Sequence, residues 1–296
     1  MGKLRSYNKA HCWQFEMKLT TLSEDLDSCN LSSEEIENIQ ISDLKFCFID
    51  KSESIKCSEI KRFIERYEWL GTMPLHPTHR FAAYYHNILV GVVVMSMPNA
   101  FSVLLGKENR HMERLIARGA SISWAPKNTA SWLIMKSIRW MVHNTKYRLF
   151  VAYSDPEARE LGTIYQACNF IYLGKASGTT RMFMDPSNPQ RWFSDRQFRS
   201  RSMYKRYANE LGIMWDPSWQ SKDKIIWKNM PREIEERLRL KSKDFQAKCV
   251  SRVVPAKHKY CYILGRTQSE TNKLIQIFES LNPTKVGLLY PKERGI

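Results

Sequence analysis

The chain has 296 residues, 43% hydrophobic and 26% charged, with a formal net charge of +16. That balance excludes wholesale disorder, and the length suits a catalytic-size core with an extension. The longest apolar run, ILVGVVVMSM at 88–97, is about half of what a membrane-spanning helix needs, and the N-terminal MGKLRSYNKAHCWQF lacks the apolar stretch of a signal peptide, so neither a membrane partner nor export is expected. Seven cysteines (Cys12, Cys29, Cys47, Cys57, Cys168, Cys249, Cys261), odd in number and without a C-x-x-C, fit reduced thiols better than a disulfide frame or a zinc ribbon. The charge is uneven. Residues 22–50 hold eight acidic residues and one lysine, whereas 186–260 hold 18 Lys+Arg against 8 Asp+Glu. A field of that sign favours nucleic acid or another polyanion, with a solvated basic surface as the plain alternative.

In chain order, LKFCFID at 44–50 reads as a short strand. An amphipathic helix follows at 54–69, where Ile60, Phe63, Ile64 and Tyr67 recur at i, i+3, i+4, i+7 and set one apolar face. HRFAAYY, the turn HN and ILVGVVVMSMP form a hairpin. Another strand lies within 112–124, closed by Pro126 with its fixed φ and missing N–H. The helix at 130–143 places Leu133, Ile134, Ile138 and Met141 on apolar positions. RLFVAYS at 148–154 returns as a buried strand, and Asp155-Pro156-Glu157 reads as a helix start. A helix through TIYQAC and strands FIYLG and TTRMFMD complete a core of order β-α-β-β-β-α-β-α-β-β. Beyond it REIEERLRLKSKDFQAK reads as a charged helix, HKYCYILG as a strand, and TQSETNKLIQIFESL as a helix opening on Thr267 or Ser269. The expected division is an acidic N-terminal segment (1–43), a core (44–185) and a basic C-terminal extension (186–296) that contacts nucleic acid and packs back on the core.

The turn PKNTAS at 126–131 joins an apolar strand to an apolar helix. A helix N-terminus carries positive potential and binds phosphate. Lys127 adds charge, Asn128 and Thr129 are caps, and Ala130 and Ser131 are small enough to admit an anion. Plain helix capping explains the same residues.

The strand, this turn, a helix, a second strand and IYQACNFIYLG resemble the central half of the acyl-CoA-dependent N-acyltransferase (GNAT) fold, without that fold's glycine-rich turn. More specifically, APKNTASWLIMKSIRWM followed by VAYSDPEARELGTIYQACNFIYLG resembles the Mom group of phage DNA-modification proteins. Their pattern is P-[KR]-N-[ST]-x-S, then strand-Y-[SA]-D, then G-x-I-Y-Q-A-x-N-[FW]-x-Y-x-G. The resemblance covers residues 65–175 well and 255–293 loosely, through VPAKHKYCYILG and LLYPK, and leaves 186–250 aside. It implies an α/β (α+β) fold with a GNAT-like central mixed sheet flanked by helices. It also implies an enzyme that takes an acyl-type, carbamoylmethyl-like group from acetyl-CoA or a related acyl-CoA carrier. The acceptor implied is DNA, at an exocyclic base amine (adenine N6), and the product shields phage DNA from restriction in the host cytoplasm. Lys127, Asn128, Thr129 and Ser131 are then the phosphate ligands.

Such a transfer needs a proton acceptor, a polarised carbonyl and an acid for the leaving thiolate. By the resemblance, Tyr165 stands where many GNAT enzymes place that acid; a satisfied core tyrosine is the alternative. Asp155 ends a central strand, which suits catalysis as well as capping, and Ser154 and Tyr153 share that strand end. Asn169 suits an unusual backbone angle before the core residue Phe170. A protein of the Mom group carries a His-Tyr pair, associated with iron, where this chain has Glu68-Trp69. Glu68 is thus a base or metal ligand, with His76 and His79 as substitute ligands from a loop; hydrogen-bonded or solvent-facing histidines are the alternative.

RWFSDRQFRSRSMYKRY interleaves Arg191, Arg196, Arg199, Arg201, Lys205 and Arg206 with Trp192, Phe193, Phe198, Tyr204 and Tyr207. Guanidinium groups suit phosphates and aromatic rings suit unstacked bases, whereas an amphipathic helix with a buried face gives the same composition. Two other functions fit these features: a GNAT enzyme acting on a protein or small-molecule amine, and a DNA-binding protein with an inactive GNAT fold.

Overall fold

The computed structural model describes residues 12–98, 100–176, 180–189, 192–221 and 224–292. The chain forms two compact units, Met1–Ala176 with Lys257–Ile296, and Ser177–Ala256. The first begins with helices α1 (Trp13–Cys29) and α2 (Ser33–Asn38), strand β1 (Leu44–Ile49) and helix α3 (Ser54–Tyr67). The hairpin β2 (Pro77–Tyr85) and β3 (Ile88–Ser96) follows, then β4 (Glu113–Ser121), α4 (Thr129–Asn144), β5 (Leu149–Ser154), α5 (Thr163–Ala167) and β6 (Ile171–Lys175). The second unit holds β7 (Thr180–Met184), β8 (Trp192–Ser194), α6 (Arg201–Glu210), the short pair β9 (Gln220–Ser221) and β10 (Lys224–Ile225), α7 (Arg232–Lys248) and β11 (Val250–Val254). The chain then returns to the first unit with β12 (His258–Ile263) and α8 (Gln268–Leu281).

The first unit is a seven-stranded sheet of order β1-β2-β3-β4-β5-β12-β6. Every neighbouring pair is antiparallel except β4 and β5, which run parallel and are joined by the crossover helix α4. This is the mixed sheet flanked by helices that the acyltransferase resemblance implies. Strand β3 is buried on both faces, from Val90 to Met95 at 2% exposure or less where apolar, which is why its sequence is a continuous apolar run without alternation. The i, i+3, i+4, i+7 face of α3 (Ile60, Phe63, Ile64, Tyr67) is buried, as is the Leu133, Ile134, Ile138, Met141 face of α4. The hairpin turns on His86 at φ 49°, as a two-residue turn with the right twist requires.

Several expectations are corrected. TTRMFMD is not a core strand: as β7 it pairs with β8 and β11 in the second unit. HKYCYILG belongs to the core instead, because β12 bonds to both β5 and β6 and its Tyr260 and Cys261 are fully buried. The units therefore divide at 176/177 and 256/257 rather than at 185/186. The helix start at Asp155 yields only a single 3₁₀ turn, Pro156–Ala158, after which Arg159 takes a left-handed conformation at φ 54°. The acidic N-terminal segment is built into the fold: Ser32 and Glu35 form a capping box on α2, and α1 buries Met17 and Asp25.

The second unit has its own core of Met203, Tyr204, Tyr207, Ala208, Trp219 and Leu238. No helix among the described residues is long and apolar enough to cross a membrane.

Candidate active site

Strands β4 and β5 pair only from Glu113–Leu149 to Ile116–Ala152. At that point the register of β4 with β3 slips, Val94 facing Arg118 and Met95 facing Ile116, so Ala117 is an extra residue on β4. A bulge of this kind bends its strand. Beyond it β4 runs on to Ser121 and β5 to Ser154 without pairing with each other, and a cavity of about 290 Å³ lies in the wedge. Val92, Val93, Leu133 and Ile134 line it with apolar surface, and Thr129 and Ala130 bring the start of α4 to it.

A second wall comes from the G-T-I-Y-Q-A run. Gly162 sits at φ 72°, and a Cβ there would meet the Tyr260 ring at 2.6 Å, so only glycine fits. The Tyr260 hydroxyl and Gln166 Nε2 both donate to the Leu161 carbonyl, tying this loop to β12. The short helix α5 that follows presents Tyr165 to the cavity, its ring braced on Phe170 and Tyr260. Burial pushes the Tyr165 hydroxyl above its ordinary range, and the negative charges of Glu160 and Glu68 push the same way. At neutral pH it is a phenol with a proton to give. Asn169 takes φ 58° and Phe170 is fully buried.

Glu68 follows the last residue of α3 and lines the cavity from a third side. Burial pushes its carboxyl up; Arg118, at 3.6 Å, and the Leu70 N–H, at 2.8 Å, pull against that. Asp155 lines the cavity too, accepts from the Glu157 N–H at 3.1 Å as a cap, and pairs with Lys257 Nζ at 2.7 Å.

The structure thus brings Glu68, Asp155, Tyr165 and Thr129 around one cavity. It does not bring Ser154, whose side chain is buried on the other side of β5 while Tyr153 lines the wedge. Lys127 and Asn128 line a neighbouring recess with Trp124 and Glu37, and Asn128 stands at φ 68° without a side-chain cap bond. Ser131 Oγ donates to the Asn128 carbonyl and lines neither space. Sequence reasoning missed Lys257, Arg118, Glu160 and Gln14, all of them cavity residues. No local pattern marks them, because each reaches the wedge from a different element.

The residues present do not fit iron. Glu68 Oε2 is taken by Arg118 and the Leu70 N–H. His79 lies in β2, not in a loop, among the rings of Phe48, Trp140 and Tyr147. Burial holds its imidazole below its ordinary range, and the cations Arg114 and Arg80 add to that, an environment that repels a metal ion. His76 is exposed, and no cluster of three His, Cys, Asp or Glu side chains suited to a metal occurs among the described residues. The same wedge does fit an extended acyl-thioester arm: β4 offers a free backbone edge, the walls are apolar, and the start of α4 faces in at Thr129 and Ala130.

A model of the Mom protein family matches residues 51–279. The chain belongs to the Mom protein family. No curated protein matches it. Among solved structures, this Mom-family chain is similar to an N-acetyltransferase from Staphylococcus aureus Mu50 at 16% identity, over 46% of this chain and 87% of that one, with a TM-score of 0.33. It is also similar to a Salmonella typhimurium acetyltransferase structure containing acetyl-CoA at 10% identity, over 47% and 83%, with a TM-score of 0.34. A third is a GNAT family acetyltransferase from Elizabethkingia anophelis with acetyl-CoA bound, at 8% identity, over 75% and 99%, with a TM-score of 0.31. At these scores the likeness carries no weight of its own, and the fold rests on the strand order above.

In the second unit, Arg191 lies outside the described residues. Phe198, Tyr204 and Tyr207 are buried at 2%, 3% and 1% exposure, so they are core and not a stacking platform. Trp192 is half-buried with the Arg252 guanidinium over its ring at 4.5 Å. Arg199 pairs with Asp195 and Arg206 with Glu210, each one helical turn away, and Arg201 is half-buried. Arg196 and Lys205 are exposed and have no carboxylate partner among the described residues.

Proposed function

We propose that this protein transfers an acyl group from an acyl-CoA or similar thioester carrier to an exocyclic amine of a DNA base, adenine N6. The observation that carries this reading is the wedge between β4 and β5, with a protonated Tyr165 and two carboxylates around it. The carrier's arm extends along the free edge of β4, and the start of α4 meets its phosphates. The amine lone pair attacks the thioester carbonyl, the C–N bond forms and the C–S bond breaks. Tyr165 gives its proton to the departing thiolate, and the proton of the amine goes to Glu68 or Asp155, both on the cavity. Arg118 and Lys257 neutralise those carboxylates between turnovers. DNA as the acceptor is supported by the resemblance of the sequence motifs and by the second unit, in which residues 177–256 hold 17 Lys+Arg against 9 Asp+Glu, a net of 17 − 9 = +8.

The test is mass spectrometry of nucleosides from cells expressing the parent and the Tyr165→Phe variant. The expected result is an added mass on deoxyadenosine with the parent and its loss with the variant. Unmodified DNA together with acylated protein or small-molecule amines supports the alternative acceptor. DNA binding without any added mass identifies an inactive fold.

A further inference from the structure

Helix α1 lies outside the span that the family model matches, residues 51–279, yet it closes the cavity. Cys12 and Gln14, at its first turn, line the wedge beside Glu68, Trp69 and Leu70. The Trp13 and Trp69 rings meet edge-on at 5.8 Å. Farther along α1, the fully buried Asp25 accepts from Tyr67 at 2.6 Å, from Arg66 at 2.9 Å and from Ser123 Oγ at 2.6 Å. Tyr67 directly precedes Glu68-Trp69, and Ser123 lies just past the end of β4. One carboxylate therefore fixes α1 to two of the segments that bound the cavity. A buried carboxylate with three donors has one geometry in which its burial is compensated, which sets the register of α1 against the wedge. Glu16, near Gln14, reaches Arg159 of the opposite loop at 3.7 Å.

Among the described residues lining the cavity, Gln14 is the one carboxamide. Its side chain is half-exposed and has no hydrogen-bond partner among the described residues. A carboxamide offers an acceptor and a donor side by side, the complement of the N6–H and N7 edge of adenine. Trp69, 37% exposed beside it, offers a flat ring face of the kind on which an extruded base stacks.

We propose that α1 is the acceptor-reading wall of the site, with Gln14 as its specificity-determining residue and Trp69 as the stacking surface. This rests on the reading of the site as a base-modifying transferase. Gln14 Oε1 accepts one N6 hydrogen and Nε2 donates to N7. The second N6 hydrogen and the nitrogen lone pair then face the thioester.

The experiment compares the modified nucleosides in DNA from cells expressing the full chain as parent, Gln14→Met, Gln14→Glu and Trp69→Ala. Gln14→Met keeps the side chain's length and helix preference and removes only the amide. Modified deoxyadenosine is expected to fall about ten-fold with it, the order of one bidentate base contact. Gln14→Glu has acceptors only and suits the cytosine amine, so the ratio of modified deoxycytidine to deoxyadenosine is expected to rise; a merely structural residue would not move that ratio. Trp69→Ala is expected to lower modification of every base alike. Melting temperatures of the purified variants confirm that each is folded. Parent-level deoxyadenosine modification with an unchanged base ratio in both folded Gln14 variants overturns the assignment while the transferase reading stands. If the parent itself modifies no base, the transferase reading falls, and this assignment with it.

Discussion

Tyr165 reaches the wedge because the loop before it is fixed: Gly162 leaves room for the Tyr260 ring, and Gln166 ties the loop through the Leu161 carbonyl. Replacing Tyr165 by Phe removes only the hydroxyl. Turnover is expected to drop by roughly 10²–10⁴-fold, the usual contribution of a general acid. Carrier binding, measured by calorimetry with acetyl-CoA, should stay within a few-fold of the parent, and a variant that keeps its turnover makes Tyr165 a packing residue. Gly162→Ala tests the support itself. The added methyl meets Tyr260 at 2.6 Å at a positive φ, so a loss of about 1–3 kcal/mol is expected, read as a lower melting temperature. The run G-T-I-Y-Q-A-C-N-F was legible in sequence as a unit. Its reason was not, since the Gln166–Tyr260 contact spans 94 positions of chain.

At the scale of elements, α1 and the bulge in β4 shape the site, and neither was read from the sequence. Burial pushes the Asp25 carboxyl up, but hydrogen bonds from Ser123, Tyr67 and Arg66 outweigh this and hold it below its ordinary range. The sign follows. A group depressed in the folded state contributes fully above the unfolded carboxyl range near pH 4, and that contribution fades as pH falls through the lower folded value. Asp25→Ala is expected to cost roughly 3 kcal/mol at pH 7, the lower end for breaking a buried ion pair. The gap to the parent should narrow on acidification below about pH 4. Melting curves across that range check both parts; a gap independent of pH would mean that lost packing, not the carboxylate charge, is the cause. The acidic composition of residues 22–50 marks only an acidic segment, because a carboxylate's partners are invisible until the chain is folded.

For the whole molecule, the second unit is the test of the acceptor. If its surface contacts duplex phosphates, the logarithm of the binding constant should fall with the logarithm of salt concentration by roughly 0.9 per contact. Arg199 and Arg206 already face carboxylates at 2.6 and 2.7 Å, so their charge is partly spent within the unit. Replacing Arg196 and Lys205 by Gln is therefore the sharper change. It is expected to flatten the slope by up to about two contacts and to leave acetyl-CoA binding intact. A slope near zero for the parent removes DNA as acceptor and promotes a protein or small-molecule amine.

Local pattern alone determined the hairpin, the faces of α3 and α4 and the span of α7, because each depends on residues within a few positions of one another. It also determined the family, through a motif run that stays contiguous in the chain. Only the tertiary structure decided that β12 enters the sheet between β5 and β6, and that the basic stretch is an insertion before it. It alone turned Phe198, Tyr204 and Tyr207 into core and gave Asp155 its Lys257 partner. Those outcomes hang on strand pairing and charge placement between residues far apart in sequence, where periodicity carries no information and the burial of one segment depends on which other segment covers it.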